Sequence, residues 1–199
     1  MKTALFPLSG DPFHKGHQDI VTRTAALFDK VYVGIGNYSK KKYLFSVEER
    51  VEMARHCLAP LENVEVVSYN DLLVDHAYRV GANTVVRAIR NNNDFEFESL
   101  LDTAGKTQGP FIDTIALFAD PKLGHVSSTM AKEIQAYNGD LVEYVSPFVK
   151  QRLENRMSGQ YFVGLTGEMG SGKSYVGKQF EQFAQQVGIQ LHNIEYDHL

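Results

Sequence analysis

The residues best suited to chemistry in this chain sit in short stretches rich in glycine, proline and cations. "LSGDPFHKGH" at 8–17 places Ser9, Gly10, His14 and His17 in one tight loop. Two imidazoles three residues apart admit metal ligation, proton transfer or a hydrogen bond to phosphate. Zinc would need further ligands of suitable spacing. Asp11 is near, but the single cysteine, Cys57, is far along the chain, so no metal site is expected. A helix is expected to open near Gly16, and the unpaired N–H groups of a helix start attract anions. In that first turn His17 is expected to be neutral, below its ordinary pKa of about 6.5. A neutral imidazole still donates one hydrogen bond to a phosphate oxygen. The plainer alternative is a loop histidine that only caps or packs.

Three further clusters favour phosphate. "SKKKYLF" (39–45) carries Lys40, Lys41 and Lys42; "RAIR" (87–90) carries Arg87 and Arg90 around Ala88 and Ile89; "HVSSTMAKE" (125–133) offers Ser127, Ser128 and Thr129 at a helix start. Singly these read as a solvated lysine run, a strand end and an N-cap. Together they recur at one kind of place. Apolar strands are expected at 3–7, 30–36, 63–69, 83–87 and 113–119. Amphipathic helices are expected at 16–28, 46–59, 71–80, 94–107, 128–137 and 146–156. Strands alternating with helices predict βαβ units, hence an α/β fold with a Rossmann-like parallel sheet flanked by helices. Ligands of such sheets lie beyond the carboxyl ends of the strands, where every one of these clusters falls.

A different unit begins after "SGQ" at 158–160. "GEMGSGKS" (167–174) fits the G-x-x-x-x-G-K-S phosphate loop, with Gly167, Gly170, Gly172, Lys173 and Ser174 in place. A strand is expected before it at 161–166, a helix after it near 173–187, and a second strand near 189–195. The expected division is therefore 1–157, a linker at 158–160, and an incomplete P-loop βαβ segment at 161–199. A piece of about 39 residues cannot bury a core alone.

The whole chain has 199 residues, 43% hydrophobic and 22% charged, with a net charge of −4. That suits a globular enzyme and gives no global positive field for nucleic acid or a membrane surface. One cysteine allows no intrachain disulfide, and the apolar start is too short for a signal peptide, so a cytoplasmic protein is expected.

"DPFHKGH", "RAIR" and "VSSTMAKE", with "DIVTRTAALFDKVYVGI", "FSVEERVEMA", "NVEVVSYNDLL" and "DFEFE" in the same order and spacing, resemble the nucleotidyltransferases with an HxGH or TxGH motif, and among them the phosphopantetheine adenylyltransferases. The resemblance covers about 1–157. It implies transfer of an adenylyl group from Mg-ATP to 4′-phosphopantetheine, giving dephospho-coenzyme A and pyrophosphate, with Mg2+ as cofactor. It implies that Ser9 touches both substrates, that His17 contacts the α-phosphate, and that Lys41 and Arg87 hold the acceptor phosphate. Leu72 and Leu73 would flank the pantetheine arm. The ATP side would be lined by Gly10, Ala88, Ile89, Arg90 and Glu98, and by Leu123, Gly124, His125, Val126, Ser127, Ser128 and Thr129. His17, Lys41 and Arg90 are the expected catalytic residues. A homo-oligomer, often a hexamer in the family, is also implied.

The chain departs from the family pattern at Leu8 and Gly10, in "RAIR" for "RGLR", at Tyr43 where proline is common, and most in "SLLDTAGKTQGP" (99–110). Two alternatives therefore stand beside the main reading. One is adenylyl transfer to nicotinate or nicotinamide mononucleotide, whose enzymes share "DPxHxGH". The other is an ATP-binding module without catalysis. "VGLTGEMGSGKS" resembles the start of a dephospho-coenzyme A kinase, with Asp197 matching an aspartate near the sugar hydroxyl. That segment is expected to be the front of a longer kinase domain or a remnant, inactive alone.

Overall fold

The computed structural model describes residues 1–158, 164–168, 170–186 and 191. The chain divides into two compact units, Met1–Gln160 and Tyr161–Leu199.

In the first unit five strands form one parallel sheet in the order β3-β2-β1-β4-β5. They are β1 (Thr3–Leu8), β2 (Lys30–Gly36), β3 (Val64–Tyr69), β4 (Thr84–Ile89) and β5 (Asp113–Phe118). The helices between and after them are α1 (Lys15–Ala25), α2 (Val47–Leu58), α3 (Leu73–Arg79), α4 (Asn92–Lys106), α5 (Ser128–Ala136) and α6 (Pro147–Met157). Each expected strand and helix has a counterpart within a few residues of its expected ends. The apolar runs of the central strands are what a sheet covered on both faces demands.

Alternation along β1 sorts the core. Ala4 and Phe6 face a large cluster with Ile20 and Val21 of α1, Met53 and Ala54 of α2, Ala131 of α5 and Leu153 of α6. Leu5 points the other way, onto a small cluster with Ala77 of α3, Ala82 and Leu73. The two flanks of the sheet are unequally covered. β1 and β2 are almost wholly buried, whereas none of the 15 residues of α4 is buried and β5 is mostly exposed.

The order reverses between β1 and β4, so their carboxyl ends open a crevice, the usual ligand position in such sheets. The loop at 8–17 leaves β1 there, and Arg90 follows β4.

Of the second unit, α7 (Lys173–Gln186) matches the expected helix. Residues 164–166 form no strand, contrary to the end of the one expected at 161–166. The rest of that strand, the strand near 189–195 and Asp197 lie outside the described residues.

Candidate active site

Loop 8–17 is shaped by two local demands. Gly10 has φ +61°, a conformation that suits glycine and turns the chain out of β1. Phe13, fully buried, then pins the loop to the core, a contribution of about 1.5–3 kcal/mol. The helix that follows starts one residue before the expected Gly16. His14 is its N-cap, and its Nδ1 accepts from the backbone N–H of His17 at 3.2 Å. Reciprocally, the backbone N–H of His14 donates to Nδ1 of His17 at 3.3 Å. The rings stack with centroids 3.5 Å apart. Gly16 permits this: a Cβ there would meet Cε1 and Nδ1 of His14, each at 3.1 Å.

Both imidazoles are held neutral. Burial, with help from the nearby Arg90 cation, pushes His14 down to about 3. Burial first, then His14 and Arg90, keep His17 well below its ordinary value. The sequence correctly suggests a neutral His17, but desolvation rather than the helix dipole is the main cause. Nδ1 of His17 accepts a hydrogen bond, so the ring proton belongs on Nε2, which has no partner among the described residues.

The other clusters are brought to this loop or beside it. Lys41 Nζ donates to Ser9 Oγ at 2.8 Å. The 123–129 segment is tied in by Ser128 Oγ, which donates to the Pro12 carbonyl at 2.8 Å, while Lys132 Nζ donates to Asp11 at 3.1 Å. His125 packs edge-on against Tyr144, whose carbonyl receives the Lys15 N–H at 2.9 Å. Ser127 caps α5, placing Thr129 in its first turn. Leu123 closes a short 3-10 turn before Gly124. Val126 and Ile89 are buried and anchor these segments, the Val126 N–H donating to the Leu123 carbonyl and the Ile89 carbonyl accepting the Ala119 N–H, both at 2.9 Å.

The two arginines after and within β4 are already paired. Arg90 makes two side-chain hydrogen bonds to Asp94, at 2.9 and 3.2 Å, and its backbone N–H makes a third. Arg87 pairs with Glu98 at 3.1 Å, with Ala88 between the arginines packed on the core. Burial raises the Glu98 carboxyl, partly offset by Arg87. Phosphate groups at this site would compete with those carboxylates. Leu72 and Leu73 are less closely joined to the rest. Leu72 is exposed, whereas Leu73 packs on the small cluster under Leu5.

Three residues have roles that the sequence did not disclose. Arg50, fully buried, donates to the Ser9 and Gly36 carbonyls at 2.7 and 2.8 Å and to Asn37 at 2.9 Å, and stacks 3.8 Å from the Tyr43 ring. It thereby joins the loops after β1 and β2. Asp11, 4% exposed, accepts the N–H groups of Leu44 and Phe45 as well as Lys132, so it is an organiser of loops. Asp94 orients Arg90. Arg50 left a signal: it sits on the apolar stripe with Met53, Ala54 and Cys57, where an unpaired charge is too costly to tolerate.

In the second unit Lys173 Nζ donates to the Gly167 and Glu168 carbonyls at 2.6 and 2.8 Å, and Gly170 and Gly172 have positive φ. Ser174 is exposed at the start of α7.

Comparison with known proteins identifies the family and the fold. The cytidylyltransferase-like family model matches residues 9–134. Curated relatives include phosphopantetheine adenylyltransferases from three organisms. That of Hahella chejuensis is 35% identical over 79% of this chain and 98% of its own. That of Caldanaerobacter subterraneus is 39% identical over 77% and 96%. That of Levilactobacillus brevis is 37% identical over 81% and 100%. Among solved structures, one from Vibrio parahaemolyticus assigned as a nicotinate-nucleotide adenylyltransferase shares the fold, with a TM-score of 0.58 at 18% identity over 77% of this chain and 92% of that one.

Proposed function

The chain belongs to the cytidylyltransferase-like family and, within it, to the phosphopantetheine adenylyltransferases, and from that premise we propose how its first unit works. It transfers an adenylyl group from ATP to 4′-phosphopantetheine, a step of coenzyme A synthesis. A phosphate oxygen of the acceptor attacks the α-phosphorus of ATP. The bond to the bridging oxygen breaks, and pyrophosphate leaves with the electron pair. No protein atom becomes bonded to the substrate. The protein's share is positioning and charge stabilisation.

One observation carries the assignment of roles. His17 is a half-buried, neutral imidazole with Nδ1 occupied and Nε2 without a partner among the described residues, in the crevice between β1 and β4. Nε2–H donates to an α-phosphate oxygen as charge builds there. Lys41, joined to Ser9, receives the acceptor phosphate together with Arg87, and Arg90 takes the ATP phosphates. Leu72 offers apolar surface to the pantetheine arm. Among the described residues no group of three or more His, Cys, Asp and Glu side chains could hold a metal. Mg2+ would enter with the nucleotide, as Mg-ATP, and would supply charge to its phosphates. The test is product identity: mass spectrometry after incubation with Mg-ATP and phosphopantetheine gives dephospho-coenzyme A, and a substrate whose α-phosphorus is chiral gives inversion. Retention would mean a covalent intermediate and overturn the single displacement.

The unit works as a homo-oligomer, with the resemblance favouring a hexamer. Phe95, Phe97 and Leu100 of α4 and Phe118 of β5 are 56%, 60%, 66% and 72% exposed. A helix with no fully buried residue has little to hold it in water, and a second copy of the chain supplies the cover. Light scattering of the wild type and of Leu100→Asp tests this, a monomeric wild type being the contrary result. Among the described residues no helix is long and apolar enough to cross a membrane. The single cysteine favours the cytoplasm as the site of the reaction.

The second unit carries a kinase-like phosphate loop and is not expected to phosphorylate by itself. Lys173 occupied by its own loop carbonyls and a fully exposed 164–168 support that reading.

A further inference from the structure

His14 receives no task from adenylyl transfer as described, yet it is the better buried of the two histidines, 7% exposed. Its backbone is extended, with φ −138° and ψ 169°, the conformation of an N-cap. Two reciprocal hydrogen bonds, 3.2 and 3.3 Å, join it to His17. Phe6 and Phe13 stand 6.4 and 5.3 Å from the His17 ring on other sides.

This arrangement bears on a choice that a neutral imidazole otherwise leaves open. With the proton on Nε2, His17 can donate to a phosphate oxygen. With the proton on Nδ1, its Nε2 lone pair would face the lone pairs of that oxygen. An N–H pointed at Nδ1 selects the first tautomer, as a partner on the far nitrogen does for any working histidine. Here that N–H is the backbone N–H of residue 14, and it stays aimed only while the loop is closed onto the helix.

We propose that His14 is a positioning residue: through its capping Nδ1 it closes the loop on the start of α1, keeps its own N–H on Nδ1 of His17, and so fixes His17 as the Nε2–H tautomer. Stacking of the two rings follows from this closure, and Gly16 is the residue that leaves room for it. The consequence for rate rests on the adenylyl-transfer reading. The tautomer does not, because it belongs to the protein without substrate.

The experiment uses the full chain labelled with 15N. Long-range proton–nitrogen correlation at neutral pH reports the tautomer of each imidazole, with His17 identified by the signals lost in His17→Ala. The wild type should show protonated Nε2 and bare Nδ1 at His17. His14→Ala should give mixed tautomers and lower kcat about tenfold, with the acceptor KM within about twofold. His14→Asn restores a side-chain acceptor at the cap and should recover both the single tautomer and most of kcat. A wild type protonated on Nδ1, an unmixed Nε2–H spectrum in His14→Ala, or mixed tautomers with unchanged kcat would each overturn the proposal. If His14→Ala does not fold, His14→Asn decides alone: the wild-type tautomer supports the role, and mixed tautomers contradict it. If the wild type makes no pyrophosphate with phosphopantetheine, the functional reading fails, while the spectra still decide the tautomer.

Discussion

Loop 8–17 and loop 167–174 are both glycine-bearing segments that lead into a helix, and both carry a residue suited to phosphate. They differ in what surrounds that residue. His17 lies among buried rings, with one nitrogen assigned and the other free. The loop itself is tied to the segments at 36–45 and 126–132 through Ser9, Asp11 and Pro12. In the second loop the described residues are exposed or half-exposed, and their described hydrogen bonds close within 167–176. A motif names groups that can meet phosphate. Preorganisation by the surrounding structure decides whether they meet it without a large ordering cost, about 1–2 kcal/mol per residue.

The sharpest way to break this contrast is to remove the working side chain from each loop. His17→Ala should keep its fold by circular dichroism and lose about a hundredfold in kcat, the usual cost of one donor aimed at developing charge. Lys173→Ala should leave pyrophosphate release within about twofold of the wild type. A His17→Ala enzyme within threefold of wild type would remove the first loop's special status.

Acid should act on the first loop. His14 is held at about 3 in the folded protein, against an ordinary value near 6.5. Between those values the unfolded chain binds a proton that the folded one refuses, so stability falls as pH drops through 6.5 toward 3. From pH 7 to pH 5 this one group should cost roughly 2 kcal/mol in urea unfolding. His14→Asn should flatten the slope by that amount. An unchanged slope would mean that the imidazole is not buried neutral.

Lys41→Ala should raise the acceptor KM by about tenfold while that for ATP changes little, since one phosphate contact is lost at an exposed side chain. A larger effect from Lys40→Ala or Lys42→Ala would reassign the lysine. The smallest effect is expected from deleting 159–199, which should leave adenylyl transfer unchanged and remove no tight ATP site by calorimetry. A second tight site, lost on deletion and in Lys173→Ala, would place the two loops on equal terms.

The contrast also marks what the sequence could disclose. The sheet and its helices were legible because apolar strands such as "KVYVGIG" and amphipathic stretches such as "FSVEERVEMA" declare their periods locally. The gathering of Ser9, Lys41, Ser128 and Arg90 near one crevice followed from the rule for parallel sheets. Arg50 was hidden because a charge on an apolar stripe reads as an interruption until its three acceptors, from distant loops, are known. Asp11 stood out in the sequence only as a neighbour of the two histidines, and the donors it accepts from, on Leu44, Phe45 and Lys132, come from distant segments. The reciprocal capping of His14 and His17 depends on one extended residue and on ring contact, neither of which residue types announce. Nor does the pattern of α4 show that none of its residues is fully buried in a single chain.

The decisive measurement is steady-state pyrophosphate release by the full chain with saturating Mg-ATP and varied 4′-phosphopantetheine or nicotinate mononucleotide. Turnover with phosphopantetheine should depend on His17 and Lys41, and kcat/KM should be at least about a hundredfold lower with the mononucleotide. Equal or greater turnover of the mononucleotide, or release that survives His17→Ala, would contradict the proposed function.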